Sequence, residues 1–256
     1  MIRPMAPRPS PKENAGRLER GALASAFETP ESKRRYARGV FGAIADRYDL
    51  ITRLLSFGQD QRWKRRLLQL TAPRHGDRVL DVACGTGDLA LGAAAMGAEV
   101  TGLDFTPHMI DLARVKPIRA RVTWVVGDMG LLPIASGSVV AITTGYGLRN
   151  VPDLRAAVAE AHRALAPRGT LASLDFDRPD SAVIRTVYLG YLAVVGAALG
   201  WLLHGNPDTY RYIAASIRRY PGARAVAGMM RDAGFAEVTH VPVFGGLMAI
   251  HVARKA

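Results

Sequence analysis

Apolar residues recur at two periods along this chain. Between residues 32 and 70 they fall at helical spacing, with Val40, Phe41, Ile44 and Tyr48 followed by Ile51, Leu54 and Leu55, which predicts helices over 36–70, ahead of any sheet. After the turn signal Pro73-Arg74-His75-Gly76, residues 78–83 form a short buried run that ends in a glycine-rich turn. The alanine- and leucine-rich stretch 88–96 then predicts a helix. The alternation repeats, with strands predicted over 99–103, 122–126, 139–143 and 170–176. Helices are predicted over 107–115 and 154–164, the second closed by Pro167-Arg168-Gly169. A last helix over 223–233 ends at Gly234 and is followed by β-like runs over 236–243 and 246–253, joined by Phe244-Gly245. Strands alternating with helices predict βαβ units, and the final pair predicts an antiparallel hairpin at the far side. The fold class expected is therefore α/β, a mostly parallel seven-stranded sheet with a C-terminal antiparallel hairpin.

Two stretches fall outside this alternation. Residues 1–35 contain Pro4, Pro7, Pro9 and Pro11, many Lys and Arg, and no apolar periodicity, which predicts a basic, disordered tail ahead of a domain spanning 36–256. It lacks the continuous apolar core of a secretory signal, so export is not expected. Within 180–220, residues 186–203 read TVYLGYLAVVGAALGWLL without a charge, between Arg185 and His204. That length sits at the lower edge of a membrane span. Three readings stay open: a span, a buried core helix, and a hydrophobic lid or membrane-facing helix. A single span would separate the last strands from their sheet partners.

Composition narrows the classes. A hydrophobic share of 49% and a charged share of 22% exclude disordered, collagen-like and disulfide-scaffold chains. The single cysteine, Cys84, suits a reducing cytoplasm, and no metal-ligand spacing is present, so no metal is expected. The formal net charge of +12 points to an anionic partner, nucleic acid or membrane, or to nothing beyond an arginine-rich surface. The excess lies mainly in 1–38 and 53–78.

The candidate chemistry begins at VLDVACGTGDLA, residues 79–90. Gly85 and Gly87 let backbone approach a ligand at a helix N-terminus. The third glycine of a dinucleotide turn is replaced by Ala90, and Asp81 and Asp88 flank the turn. Such carboxylates repel a pyrophosphate and attract the sulfonium and ammonium of S-adenosylmethionine. Asp104 ends the next strand about 20 residues on, where an acid reaches ribose hydroxyls. Asp128, beside Met129, ends the third strand and suits an adenine amino group and ring face. A single acid at a strand end is commonly a helix cap; three at successive ends favour a bound cofactor. Together these residues predict a Rossmann-like methyltransferase fold.

The chain also resembles the ubiquinone/menaquinone biosynthesis C-methyltransferases from about Phe41 to Arg254. The resemblance rests on YDLITRLLSFGQDQRWKR, DVACGTGDLA, LDFTPHMI, LLPIASGSVVAITTGYGLRNVPD, RALAPRGTLASLDFDRP, YRYIAASIRRYPG, MMRDAGFAEV and GGLMAIH. GLRNV and SFG are more specific to that family than the glycine turn. Thr52, Cys84 and the pair Val139-Val140 depart from its usual pattern, and Gly145 stands where it often has serine.

The resemblance implies methyl transfer from S-adenosylmethionine to an aromatic carbon beside a phenolic hydroxyl, on a reduced quinone with a polyprenyl tail. It implies cofactor contacts from Thr86, Asp104, Asp128, Met129 and Gly145, to which the glycine turn adds Asp81, Gly85 and Gly87, and its neighbour Phe105 follows Asp104. Such chemistry needs a way to remove the hydroxyl proton and a pocket holding carbon and methyl about 3 Å apart. Arg149 and Asn150 are the expected catalytic pair, against the alternative that Asn150 or Asp153 merely caps the next helix. His204 is the candidate base, against the alternative of a solvated loop histidine. Tyr48 and Tyr146 are expected to line the pocket mouth, and Cys84 to pack.

For a bilayer-resident quinol, 186–203 would supply a greasy passage and the basic tail would bind anionic headgroups, placing the protein in the cytoplasm at the inner face of the cell membrane. A homodimer is left open, and no nucleic-acid partner is expected. Rival functions are a methyltransferase acting on RNA or another small lipophilic molecule, a non-catalytic cofactor-binding scaffold, and a nicotinamide dehydrogenase. The fourth strand's end carries none of the acid-or-Asn-Pro-Pro-aromatic pattern of amino-methylating nucleic-acid enzymes, and no Pro-Cys nucleophile is present.

Overall fold

The computed structural model describes residues 23–117, 121–179 and 181–256. Its centre is a seven-stranded sheet: β1 (Arg78–Val82), β2 (Glu99–Asp104), β3 (Val122–Val126), β4 (Val139–Gly145), β5 (Leu165–Phe176), β6 (Phe235–Val243) and β7 (Met248–Lys255). The order is β3-β2-β1-β4-β5-β7-β6. The first five strands pair in parallel, and β7 runs antiparallel to both β5 and β6. The α/β class and the terminal hairpin thus stand as the sequence predicts. A short 3-10 turn, Phe244–Gly246, makes the hairpin connection.

Side chains alternate across the sheet, so neighbouring residues build opposite layers. Leu80, Ile142 and Leu171 pack with α6 (Leu154–Ala164) and α9 (Ala223–Asp232) through Val158, Ala161, Val226 and Met230. On the other face Val79, Val100, Ala141 and Ala172 meet α3 (Asp60–Thr71) and α4 (Asp88–Ala95) through Leu67, Leu68, Leu89 and Ala93. The fifth sheet-side helix, α5 (Pro107–Arg114), links β2 to β3.

Four helices cap the sheet's C-terminal edge: α1 (Pro30–Ile44), α2 (Tyr48–Leu55), α7 (Ala182–His204) and α8 (Asp208–Arg219). Two boundaries differ from expectation. Most of the expected tail lies outside the described residues, but the fold begins before residue 36. Thr29 and Ser32 close a reciprocal capping box on α1, and Ala26 is buried. The stop signal Pro167–Gly169 does not separate α6 from β5. It bulges out of the strand instead, with Arg168 at φ 61° and the register jumping from Val139–Leu165 to Ala141–Thr170.

The apolar segment forms α7, and α8 is a helix the periodicity did not disclose. The two pack face to face because Gly196 and Gly200 carry no Cβ: one at Gly200 would sit 2.6 Å from the Asn206 carbonyl oxygen. Tyr188 and Leu192 are buried against Ala214 and Ile217. The opposite face keeps Val187, Val194, Trp201 and Leu202 about 70% exposed. The helix is long and apolar enough to cross a bilayer, yet its packing on α8 ties one face to the domain.

Candidate functional site: two cavities with a shared wall

The turn after β1 is shaped by backbone that side chains rarely permit. Ala83, Gly85 and Gly87 all lie at positive φ (52°, 55° and 85°), and a Cβ on Gly87 would meet the Trp124 ring at 2.4 Å. Asp81 fastens this turn from beneath. Its carboxylate accepts the Ala90 N–H at 3.0 Å and the Thr143 hydroxyl at 2.8 Å, tying β1 to α4 and β4. Burial pushes its pKa up to about 7, against those hydrogen bonds.

Asp104 closes the turn from the side, accepting Gly85 N–H and Thr106 N–H, each at 2.8 Å. Asp128 accepts Gly130 N–H at 2.8 Å and pairs with Arg34 of α1 at 2.9 Å. Asp104, Asp128, Phe105, Met129, Gly85 and Gly145 all line one cleft of about 640 Å³, with Arg34 at its rim. Gly147 lines it too, and a Cβ there would overlap Thr144 Oγ1 at 2.4 Å. Bare backbone at Gly85, Gly145 and Gly147, a carboxylate at each of two strand tips, and Met129 with Phe105 as flanking surfaces fit a nucleoside bearing a methionine arm.

Three expected contacts are not among the residues lining that cleft. Asp81 is engaged by Ala90 N–H and the Thr143 hydroxyl, and Gly87 sits against the Trp124 ring. Thr86 donates its hydroxyl to Asp49 of α2 at 2.6 Å and accepts from Lys116 at 3.0 Å. The flanking acid Asp88 is not a free negative charge either: Lys64 reaches it at 2.7 Å and Lys116 at 2.6 Å. Burial opposes its ionisation, but the two ammonium groups outweigh burial and hold its pKa below the carboxylate range. The turn's attraction for a cation, argued from Asp81 and Asp88, is therefore not carried by these two side chains, and Asp104 and Asp128 remain the carboxylates facing the cleft.

A second cavity, of about 690 Å³, lies under the helical cap. Phe41, Tyr48 and Tyr146 line both cavities and form the wall between them. Its lining is mainly aliphatic and aromatic, with Leu55, Leu192, Tyr188 and Tyr212 among its members, and no described residue lining it is a carboxylate or a histidine. Among the described residues, the only formally charged side chain facing it is Arg149, 6% exposed.

Arg149 is held from several sides. Its Nη1 donates to Ser216 Oγ at 2.7 Å and to Asn150 Oδ1 at 3.1 Å. Its Nε lies 3.4 Å from Asp175 Oδ1, and its guanidinium stacks over the Phe176 ring at 4.9 Å. Asp175 also accepts the Arg149 backbone N–H; burial raises its pKa against the pull of Arg149. Asn150 donates to the Tyr146 carbonyl at 2.7 Å and accepts from the Tyr212 hydroxyl at 3.2 Å. Arg149 thus faces the second cavity while Asn150 lines the first. The helix-cap role considered for Asn150 falls instead to Asp153, whose side chain accepts Ala156 N–H.

His204 is not brought to either cavity. It shares a 2.9 Å hydrogen bond with Tyr210 Oη at the end of α7, and burial together with the charge of Arg47 lowers its pKa. It is placed to finish a helix. Asp175, Ser216, Tyr212, Arg34 and Gly147 are site residues that sequence reasoning missed. Asp175 lies one residue from the end of its strand, and the strand-tip rule would have found it; the others gave no local signal.

This fold and this paired site define an S-adenosylmethionine-dependent methyltransferase of the Rossmann-like type. Comparison with known proteins agrees at each level. A solved S-adenosylmethionine-dependent methyltransferase from Aquifex aeolicus has the same fold, at a TM-score of 0.53 and 17% identity, over 75% of this chain and 89% of that one. The demethylmenaquinone methyltransferase of Thermus thermophilus is 43% identical over 221 residues, 84% of this chain and 100% of the relative. The ubiquinone/menaquinone biosynthesis C-methyltransferase UbiE of Methylobacterium nodulans is 39% identical over 224 residues, 84% of this chain and 89% of the relative. The model of the ubiE/COQ5 methyltransferase family matches residues 29–255, and the chain belongs to that family.

Proposed function

We propose that this enzyme methylates a ring carbon of a reduced quinone precursor carrying an isoprenoid tail, with the ring in the second cavity and S-adenosylmethionine in the first. The observation that carries this reading is the apolar cavity that presents one buried cation, Arg149, and shares a wall with the first cleft. The substrates named for the relatives, demethylmenaquinone and ubiquinone or menaquinone precursors, are of the same chemical kind.

Bound S-adenosylmethionine supplies an electrophilic methyl group on a sulfonium. Asp104 is the residue to accept ribose hydroxyls, and Asp128, Met129 and Phe105 are those to seat the adenine, with Arg34 yielding its place on Asp128. Asp81, Thr86 and Gly87 act from behind, by fixing the turn. On the substrate side, Arg149 stabilises a phenolate, whose charge raises the nucleophilicity of the adjacent ring carbon. Asp175 and Ser216 orient that guanidinium. With no carboxylate or histidine among the described residues of the cavity lining, the hydroxyl proton leaves to water, made favourable by Arg149. Tyr48 and Tyr146 do not serve as bases: burial raises both pKa values. Because the substrate resides in a bilayer, the enzyme works from the cytoplasmic membrane surface.

Purified full-length chain incubated with methyl-labelled S-adenosylmethionine and a panel of reduced demethyl-benzoquinols and demethyl-naphthoquinols, with transfer RNA alongside, tests the assignment. Label entering a quinol is expected. Label confined to RNA would overturn it.

A further inference from the structure

A reduced quinone bound in the second cavity would carry a long hydrocarbon tail, and one wall of that cavity also lines an open surface groove. Trp63 and Phe244 line the second cavity on one side and an open surface groove on the other. Their rings lie 5.3 Å apart. Phe57 extends this wall outward, 6.1 Å from Phe244 and stacked at 5.8 Å on Tyr191 of α7. Phe57 and Phe244 both sit at positive φ, 52° and 53°, a conformation bulky side chains adopt at a cost. Two independent turns therefore hold phenylalanines in unfavourable backbone to close one partition, and Phe57 remains 62% exposed.

The groove outside this partition is basic. Arg62, Arg65 and Arg66 line it. They project from one face of α3, opposite the buried Trp63, Lys64, Leu67 and Leu68, because spacings of three and four return to one side of a helix. No carboxylate lines the groove among the described residues. These arginines have no ion-pair partner among the described residues, whereas Lys64 on the inner face is paired with both Asp60 and Asp88. Leu50 and Leu54 of α2, the helix that precedes Phe57, are also about half exposed. An aromatic wedge rimmed by unpaired guanidinium groups matches a surface with phosphate outside and hydrocarbon beneath.

We propose that this groove docks on an anionic phospholipid bilayer, Arg62, Arg65 and Arg66 engaging headgroup phosphates, and that the isoprenoid tail enters the cavity between Phe57 and Phe244. The proposal rests on the lipophilic-substrate reading above and adds the partner, the docking face and the door. It differs from docking through the N-terminal segment or the outer face of α7, either of which would hold the membrane on other residues.

The test uses the full chain carrying R62E, R65E and R66E together, and a control variant carrying R78E and R231E, exposed arginines elsewhere. Wild type and control are expected to float with vesicles containing phosphatidylglycerol and to be released by salt. The triple variant is expected to lose about 100-fold in vesicle affinity while methylating a short-tailed, soluble quinol at the wild-type rate, which also shows that it folds. Flotation of the triple variant equal to wild type overturns the docking face. Binding to transfer RNA with indifference to anionic vesicles overturns the bilayer as partner. Failure of the wild type to methylate any quinol defeats the underlying reading instead. Phe57→Ala is expected to change KM for a long-tailed quinol in vesicles and to leave the short-tailed KM unchanged. An equal change for both tail lengths removes the door.

Discussion

The two cavities that meet at Phe41, Tyr48 and Tyr146 are made in different ways. The cofactor cleft is built from backbone: a turn at positive φ, glycines that leave room, and carboxylates at strand tips that accept main-chain N–H groups. The second cavity is built from side chains, aromatic and aliphatic, that the helical cap and the strand and turn residues beneath it place around the guanidinium of Arg149. The first kind of construction fixes the shape of a ligand that does not vary. The second fixes only polarity and volume, except at Arg149, where hydrogen bonds and a stacked ring define a direction. The division predicts that changes in one cavity move binding of the cofactor and changes in the other move chemistry.

Arg149→Met should separate them most sharply. Loss of the group that stabilises developing negative charge is expected to lower the transfer rate by about 10²–10³-fold, with cofactor affinity measured by calorimetry unchanged. A parallel fall in both would show that the cavities are not independent. Because Asp175 would be left buried without its cation, the same variant should also lose about 3 kcal/mol or more of stability, read by denaturant melting. Asp104→Ala should do the converse, weakening cofactor binding by about 100-fold, since two buried N–H groups lose their acceptor along with the ligand. Its turnover at saturating cofactor should stay near wild type.

Gly87→Ala tests the turn itself. Its methyl group would enter the Trp124 ring and the φ of 85° disfavours any side chain, so a loss of about 2–3 kcal/mol is expected in urea melts. Asp81 offers a pH-dependent check. Its pKa is raised in the fold to about 7, so the folded chain holds its proton more tightly than the unfolded one. The stability this gives is fully present below about pH 4, the unfolded value, and is lost as pH rises toward 7. Asp81→Asn should flatten that part of the stability profile, and an unchanged slope would show that Asp81 does not titrate there.

The smallest effect expected is at Arg34→Ala. The pair with Asp128 is half exposed, so stability should change by less than about 1 kcal/mol, while cofactor affinity should hold or improve as Asp128 is freed. A marked loss of affinity would mean that Arg34 contacts the cofactor rather than covering its site.

This contrast also explains what could be read in the sequence. The sheet, the glycine turn and the acids Asp104 and Asp128 are local features, each announced within a few residues of its strand, and they fall where the pattern places them. The charge argument at Asp88 failed because its answer lies far along the chain, in Lys64 and Lys116, 24 and 28 residues away. The cap was harder still. Helix α8 turns Tyr210, Tyr212 and Ser216 inward, polar side chains that hide an amphipathic pattern when read as surface. Tyr212 and Ser216 reach Arg149 and Asn150 across gaps of more than 60 residues. His204, adjacent in sequence to the apolar helix, drew attention by position alone, and Tyr210 claims it.

The central claim is that the buried guanidinium of Arg149 turns a phenol into a carbon nucleophile beside the cofactor cleft. It is tested most directly by identifying the product formed from methyl-labelled S-adenosylmethionine and one demethyl-quinone offered in its reduced and its oxidised form. Label on the ring carbon next to a hydroxyl, from the reduced form alone, is the predicted result; label on oxygen, or equal transfer to the oxidised form, would contradict it.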